Sequence, residues 1–235
     1  MPTDLYLIRH GESVANVVPI MGGMRGDAGL TARGQRQAAL LEARLAGGEI
    51  RADALYSSTL PRAFETAAYV ARALGLDPVF ADEWQELRPG EADGLTVAEW
   101  RERYRGGEVE AGDRFRPLAP GGESWATFQA RVSTALDRLV TRHPDQTVVV
   151  VCHGGVLEAS FNHAFGVGPS GNRVYLEPHN TSITHWRHRP GDAARSPAWT
   201  LLVFNDATHL RVTGTGDAER EAVPAPGEAA PGEGE

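Results

Sequence analysis

The chain has 235 residues, a formal net charge of −8, 41% hydrophobic and 23% charged residues, and one cysteine, Cys152. That length buries the core of one ordinary domain, while the acidic balance argues against non-specific binding to nucleic acid or anionic membranes, and no run approaches the roughly 18 apolar residues of a membrane span. A single cysteine excludes an intramolecular disulfide, and the start, Met1-Pro2-Thr3-Asp4, lacks the basic and apolar regions of a secretory signal, so a cytoplasmic location is expected.

All 23 residues counted as Lys or Arg are arginines, which a GC-rich, bacterial genome explains. One chemical consequence follows: a phosphate site must use guanidinium forks, and Schiff-base or P-loop lysine chemistry is excluded.

In chain order, Leu5-Tyr6-Leu7-Ile8 reads as a buried strand that stops at Arg9-His10-Gly11. Ala38, Leu41 and Leu45 recur at helical spacing behind Thr31, a suitable N-cap. A second strand spans Asp53–Tyr56. Ser57-Ser58-Thr59 then reads as the cap of a helix with Pro61 in its first turn, ending at Gly75. Val79-Phe80 gives a third strand. The stretch of about 88–123, rich in Gly, Pro, Arg and Glu, reads as a surface lid with a short helix over Val97–Tyr104. Ser124 opens a long helix to Arg142, with Phe128, Val132, Leu136, Leu139 and Val140 on one face. Four valines after Thr147 have the character of a central parallel strand covered on both faces, and it runs into Cys152-His153-Gly154-Gly155. Later strands are expected at Ser182–Arg187 and Thr200–Phe204. This alternation predicts an α/β layer fold over residues 1–213. From Gly214 to Glu235 the composition collapses to Gly, Pro, Ala and Glu, which predicts a disordered tail.

Two histidines, His10 and His153, each follow a predicted parallel strand and precede glycine. In open α/β sheets the carboxyl ends of the strands form the ligand crevice. Gly11 permits close backbone approach, and Arg9 supplies an anion-binding fork beside His10, with Asn16 a neutral donor in the same loop. Arg62 falls in a first helical turn, where free N–H groups also favour an anion. Cys152 lacks an arginine six residues on, where Glu158 stands, so it reads as a small buried hydrophobe rather than a thiolate nucleophile. Ester cleavage needs an acid for the departing oxygen; Glu83, Glu86 and Glu91 all follow the third strand, and spacing alone does not choose among them. No HExxH, Walker A or EF-hand pattern suggests a metal.

Arg9-His10-Gly11-Glu12, then Ser57-Ser58 with Arg62 and Thr66, then Glu86 with Gly90, then His153-Gly154-Gly155 occur in an order that resembles the histidine phosphatase superfamily, in its phosphoglycerate mutase-like branch. The resemblance covers about Leu5 to Leu202. It implies a three-layer α/β/α sandwich with a mostly parallel sheet. It also implies His10 as nucleophile, Arg9, Arg62 and His153 as holders of the phosphoryl oxygens, Glu86 as the acid, and Asn16 and Gly154 as further substrate contacts, with no metal and no cofactor. Only 67 positions, from 86 to 153, separate Glu86 from His153, too few for the long insertion of mutases. The expectation is therefore a metal-independent phosphatase acting on a small phosphorylated metabolite. A mutase is the first alternative and a non-catalytic phospho-ligand binding protein the second. Substrate choice is expected to lie with the Met21–Asp27 loop and the lid. The lid arginines Arg101, Arg103, Arg105, Arg114 and Arg116 read as a solvated face balanced by Glu99, Glu102, Glu108 and Glu110. Oligomeric state, a homodimer included, is left open.

Overall fold

Successive side chains of a strand face opposite sides of its sheet, so a strand apolar at every position must carry helices on both faces. The computed structural model, which describes residues 2–105, 113–169, 175–191, 196 and 198–211, shows this at β4 (Thr147–Cys152). Val148 and Val150 join Leu5 and Leu7 of β1 (Thr3–Arg9) in one core. Val149 and Val151 join Ile8 in the other. The first core is closed by α5 (Trp125–Arg142) and α6 (Gly154–Phe165) through Phe128, Val132, Leu136, Val156 and Leu157. The second is closed by α2 (Ala32–Ala46) and α3 (Pro61–Leu74) through Leu41, Leu45, Ala63, Ala67 and Val70. Each of the four valines is fully buried, a gain of about 1.5–3 kcal/mol apiece, so the strand ends that carry His10 and His153 are firmly anchored.

With β2 (Ala54–Ser57), β3 (Val79–Phe80), β5 (Ile183–Arg189) and β6 (Ala198–Asp206), the sheet has six strands in the order β3-β2-β4-β1-β5-β6. The β3-β2-β4-β1 portion is parallel, and β5 and β6 pair antiparallel at the far side. The expected three-layer sandwich with its mostly parallel sheet is therefore present.

Most helix ends follow their sequence signals. The Thr31 hydroxyl accepts from Gly34 N at 3.0 Å, Ser124 and Thr127 form a reciprocal cap on α5, and Gly75 ends α3 in the left-handed region at φ 66°, where glycine is unstrained. The Ser57-Ser58-Thr59 run does not cap α3. Leu60 is the N-cap, with Pro61 at the first helical position. Ser58 Oγ instead meets His153 Nε2 at 2.8 Å while accepting from Leu60 N, and Thr59 donates to Asp82 at 2.6 Å.

The stretch of about 88–123, expected to form a lid, holds a 3-10 turn at Gly90–Ala92 and α4 (Val97–Arg105). It is tied to the 21–27 loop: Met21 N donates to Leu95 O at 2.8 Å, and the Asp93 carboxylate accepts from the backbone N–H groups of Gly23, Arg25 and Gly26 at 2.9–3.0 Å. The stretch from Gly214, predicted to be disordered, lies outside the described residues, as do Glu108 and Glu110 of the lid.

Candidate active site

Three neighbouring parallel strands deliver their carboxyl ends to one place. His10 N continues the β1–β4 ladder by donating to Cys152 O at 2.9 Å, and Ser58 N, just past β2, donates to Val151 O at 3.0 Å. His10, His153 and Ser58 are thereby fixed by sheet register. The two imidazoles lie with ring centroids 5.0 Å apart.

His10 is 3% exposed. Its Nδ1 lies 2.6 Å from the Gly11 carbonyl, which can only accept, and its Nε2 receives the Arg62 Nε–H at 3.1 Å. Both contacts assign one tautomer, with the proton on Nδ1 and the lone pair on Nε2. Burial, then the charges of Arg62 and Arg9, hold the imidazole well below the ordinary histidine range. Gly11 is held in turn by Thr66, whose hydroxyl accepts from Gly11 N at 3.0 Å and donates to Arg62 O at 2.8 Å. A Cβ at Gly11 would stand 2.7 Å from the Gly34 carbonyl, so the close approach of α2 to this loop requires glycine there.

Arg62 is aimed by a partner the sequence did not reveal. Asp27 Oδ2 accepts from Arg62 Nη1 at 2.7 Å and from its backbone N–H at 3.2 Å, and the Gly22 carbonyl accepts from Nη1 at 3.1 Å. The side chains of this pair are 5% and 0% exposed. The 21–27 loop, itself pinned to the lid by Asp93, thus sets the Arg62 fork.

His153 is fully buried, and the same order of causes, burial first and then Arg62, keeps it neutral. Its Nε2 is engaged by Ser58, whereas its Nδ1 has no partner. With no other acceptor for the Ser58 hydroxyl among the described residues, we assign it as the donor to Nε2, which places an N–H on Nδ1. Arg9 donates through Nη1 to the Pro178 carbonyl, while its buried Nε is also without a partner. Unsatisfied buried donors are costly, and the two found here belong to residues flanking His10. An anion accepting from both would offset that cost.

Glu86 reaches the N-terminus of α6, where its Oε2 accepts from Gly155 N at 2.9 Å and its Oε1 from Leu87 N at 2.9 Å. A Cβ at Gly155 would stand 2.2 Å from Glu86 Oε1. The same test at Gly154 finds only ordinary contact with Arg9, 3.7 Å from Nε, so Gly155 is the glycine on which the carboxylate depends. The competing Glu83 and Glu91 are exposed. Asn16 spends its Oδ1 on the Ser13 N–H and hydroxyl, closing the four-residue helix α1 (Val14–Val17). It is linked to the site by Asn180, whose Nδ2 donates to His10 O at 3.0 Å and lies 3.4 Å from Asn16 Oδ1. Cys152 is fully buried, and desolvation pushes its thiol far up, which agrees with its reading as an inert hydrophobe.

Among the lid arginines, Arg101, Arg103 and Arg116 are exposed as expected. Arg114 departs from that reading: it pairs with Glu158 of α6 at 3.6 Å and lies over the Trp125 ring at 5.2 Å.

A pH consequence follows. His10 and His153 refuse protons in the folded state that the unfolded chain accepts below about 6.5, and His209, pushed to about 4 by burial and then Arg44, adds to this. The unfolded state then binds more protons, so stability falls as pH drops through that value. The melting temperature should begin to decline near pH 6.5, well above the carboxylate range; a flat profile from pH 7 to 5 would contradict the neutral burial of these rings.

The family description "Histidine phosphatase superfamily (branch 1)" matches residues 5–200. Phosphoglycerate mutase-like protein 4 of Arabidopsis thaliana is 33% identical over 216 residues, covering 90% of this chain and 88% of the relative. The metal-independent phosphoserine phosphatase of the same plant is 30% identical over 220 residues, covering 90% and 85%. Among solved structures, native mycobacterial glucosyl-3-phosphoglycerate phosphatase superposes with a TM-score of 0.73 at 26% identity, covering 87% of this chain and 99% of that one.

Proposed function

The chain belongs to branch 1 of the histidine phosphatase superfamily, and from that premise we propose that it hydrolyses the phosphate monoester of a small metabolite through a phosphohistidine on His10. The observation that carries this reading is the His10 tautomer: a buried, neutral imidazole whose Nε2 lone pair faces the Arg62 fork.

In the first step the Arg62 Nε–H turns from His10 Nε2 to a phosphoryl oxygen, and Nε2 forms a bond to phosphorus as the bond from phosphorus to the ester oxygen breaks. Negative charge on the three equatorial oxygens meets Arg62, the free Arg9 Nε–H and the free His153 Nδ1–H. Glu86 gives its proton to the departing oxygen. In the second step water attacks phosphorus, Glu86 takes a proton from it, and the bond from nitrogen to phosphorus breaks to release phosphate. One difficult displacement becomes two easier ones. Because cationic and neutral N–H donors meet the phosphoryl charge, no step is assigned to a metal.

Relatives named for phosphoserine and for glucosyl-3-phosphoglycerate support a small carboxylated phosphate ester as the substrate class. The mutase alternative is less favoured, since the interval of 67 positions between Glu86 and His153 leaves a shorter cover over the site. The test is phosphate release from a panel of phosphorylated metabolites, phosphoserine and 3-phosphoglycerate included, with EDTA present. Release of inorganic phosphate at an undiminished rate is expected. Loss on chelation with recovery on Mg²⁺ or Zn²⁺, or phosphoryl transfer to the product instead of water, would overturn it.

A further inference from the structure

The segment that carries Glu86 has no secondary structure of its own to hold it. It leaves the 3-10 turn Asp82–Trp84 at Gln85, in extended backbone, and reaches the next turn only at Gly90. Its carbonyls would lack partners in any regular ladder, and each needs one. They find it in Arg131, two turns into α5. Nη1 donates to Glu83 O at 2.8 Å and Gln85 O at 3.0 Å, and Nη2 to Glu86 O at 3.3 Å. The two remaining N–H groups go to Glu123, from Nε to Oε1 and from Nη2 to Oε2, both at 2.7 Å. All five guanidinium donors are thereby used. Glu123 completes the hold from the other end: its Oε2 accepts from Arg88 N at 3.1 Å, and its own N–H donates to Arg88 O at 2.8 Å. Both side chains are 14% exposed, and the guanidinium lies 5.0 Å from the Phe128 ring, in the core that fixes α5.

We propose that Arg131 and Glu123 are positioning residues that set where the Glu86 carboxyl stands, and so govern proton transfer to the leaving group. The proposal rests on the reading of Glu86 as the acid. Lysine at 131 would keep the charge but could not serve five acceptors in one plane. A clamp of this kind acts mainly on the acid: among the described residues no hydrogen bond joins it to His10, Arg9, Arg62 or His153, and only the Arg131 charge, the last of the causes acting on His153, is felt there.

The test compares Arg131→Lys and Glu123→Gln, each in the wild-type and the Glu86→Gln backgrounds, on the best alkyl phosphate found for the wild type and on p-nitrophenyl phosphate, whose leaving group departs with little help from a proton. Melting temperatures are measured throughout, and either folded variant suffices. We expect alkyl ester turnover to fall roughly 10- to 100-fold with a much smaller change in the p-nitrophenol burst. In the Glu86→Gln background the clamp substitutions should have almost no further effect on either ester. Equal losses on both substrates, or losses that persist in full without Glu86, would reduce the pair to a purely structural role and overturn the proposal. Glu86→Gln itself separates the two readings. If it slows both leaving groups equally in the burst, the acid assignment falls and the clamp with it. If it is selective while the clamp variants are not, the clamp alone falls.

Discussion

Substituting alanine for His10 should abolish turnover. The substitution removes the one imidazole at the strand tips whose Nε2 is assigned as a lone pair, and nothing nearby can replace it. His153 presents an N–H rather than a lone pair toward the site, and the Cys152 thiol is buried and far from ionised at neutral pH. Loss of a nucleophile of this kind is on the order of 10⁴-fold or more, so phosphate release should fall to background. The fold should survive, because the β1–β4 ladder beneath residue 10 is made by backbone groups. Phosphate release near the wild-type rate by a folded His10→Ala protein would remove His10 from the mechanism.

Arg62→Met should damage both rate and stability, by separable routes. Rate should fall roughly 10²- to 10³-fold, as for loss of a preorganised oxyanion donor. Stability should fall by about 3–5 kcal/mol, because the fully buried Asp27 carboxylate loses its charge partner. A second change decides whether those routes are distinct. Asp27→Asn added to Arg62→Met removes the orphaned charge and keeps an oxygen for the Gly29 N–H that Asp27 Oδ1 now accepts. The Arg62 backbone N–H from which Oδ2 accepts loses its acceptor, so denaturant unfolding should then recover part of the lost stability while kinetics do not recover at all. Recovery of turnover along with stability would mean that Arg62 serves the fold only.

The two halves of the site differ in how far the sequence discloses them, and the difference is physical. His10 and His153 sit at the ends of continuous apolar runs, so strand periodicity and the carboxyl-end rule lead directly to them. Glu86 has no such signal. It stands in an irregular segment among other carboxylates, and only the family resemblance selects it over Glu83. Ser58 shows local chemistry misleading: serine ahead of Pro61 has the composition of a helix cap, but His153, 95 positions away, is its partner. The roles of Asp27, Asn180 and Arg131 carry no sequence signal for the same reason. Their partners lie 35, 170 and up to 48 positions away in sequence, and no periodicity encodes such pairings. The register of a buried strand is written locally; the polar contacts that aim its terminal residues are made by loops and helices brought in by the fold.

The most direct test of the central claim is a chemical one. Wild-type protein is mixed with a ³²P-labelled ester from the panel, quenched in denaturant during turnover, and the label on the protein is assayed for acid and base stability and mapped by peptide mass spectrometry. A phosphohistidine on Nε2 of His10, labile in acid and stable in base, is the predicted result. Label on another residue, or turnover with no labelled protein at any quench time in an enzyme whose burst shows that the second step is rate-limiting, would contradict it.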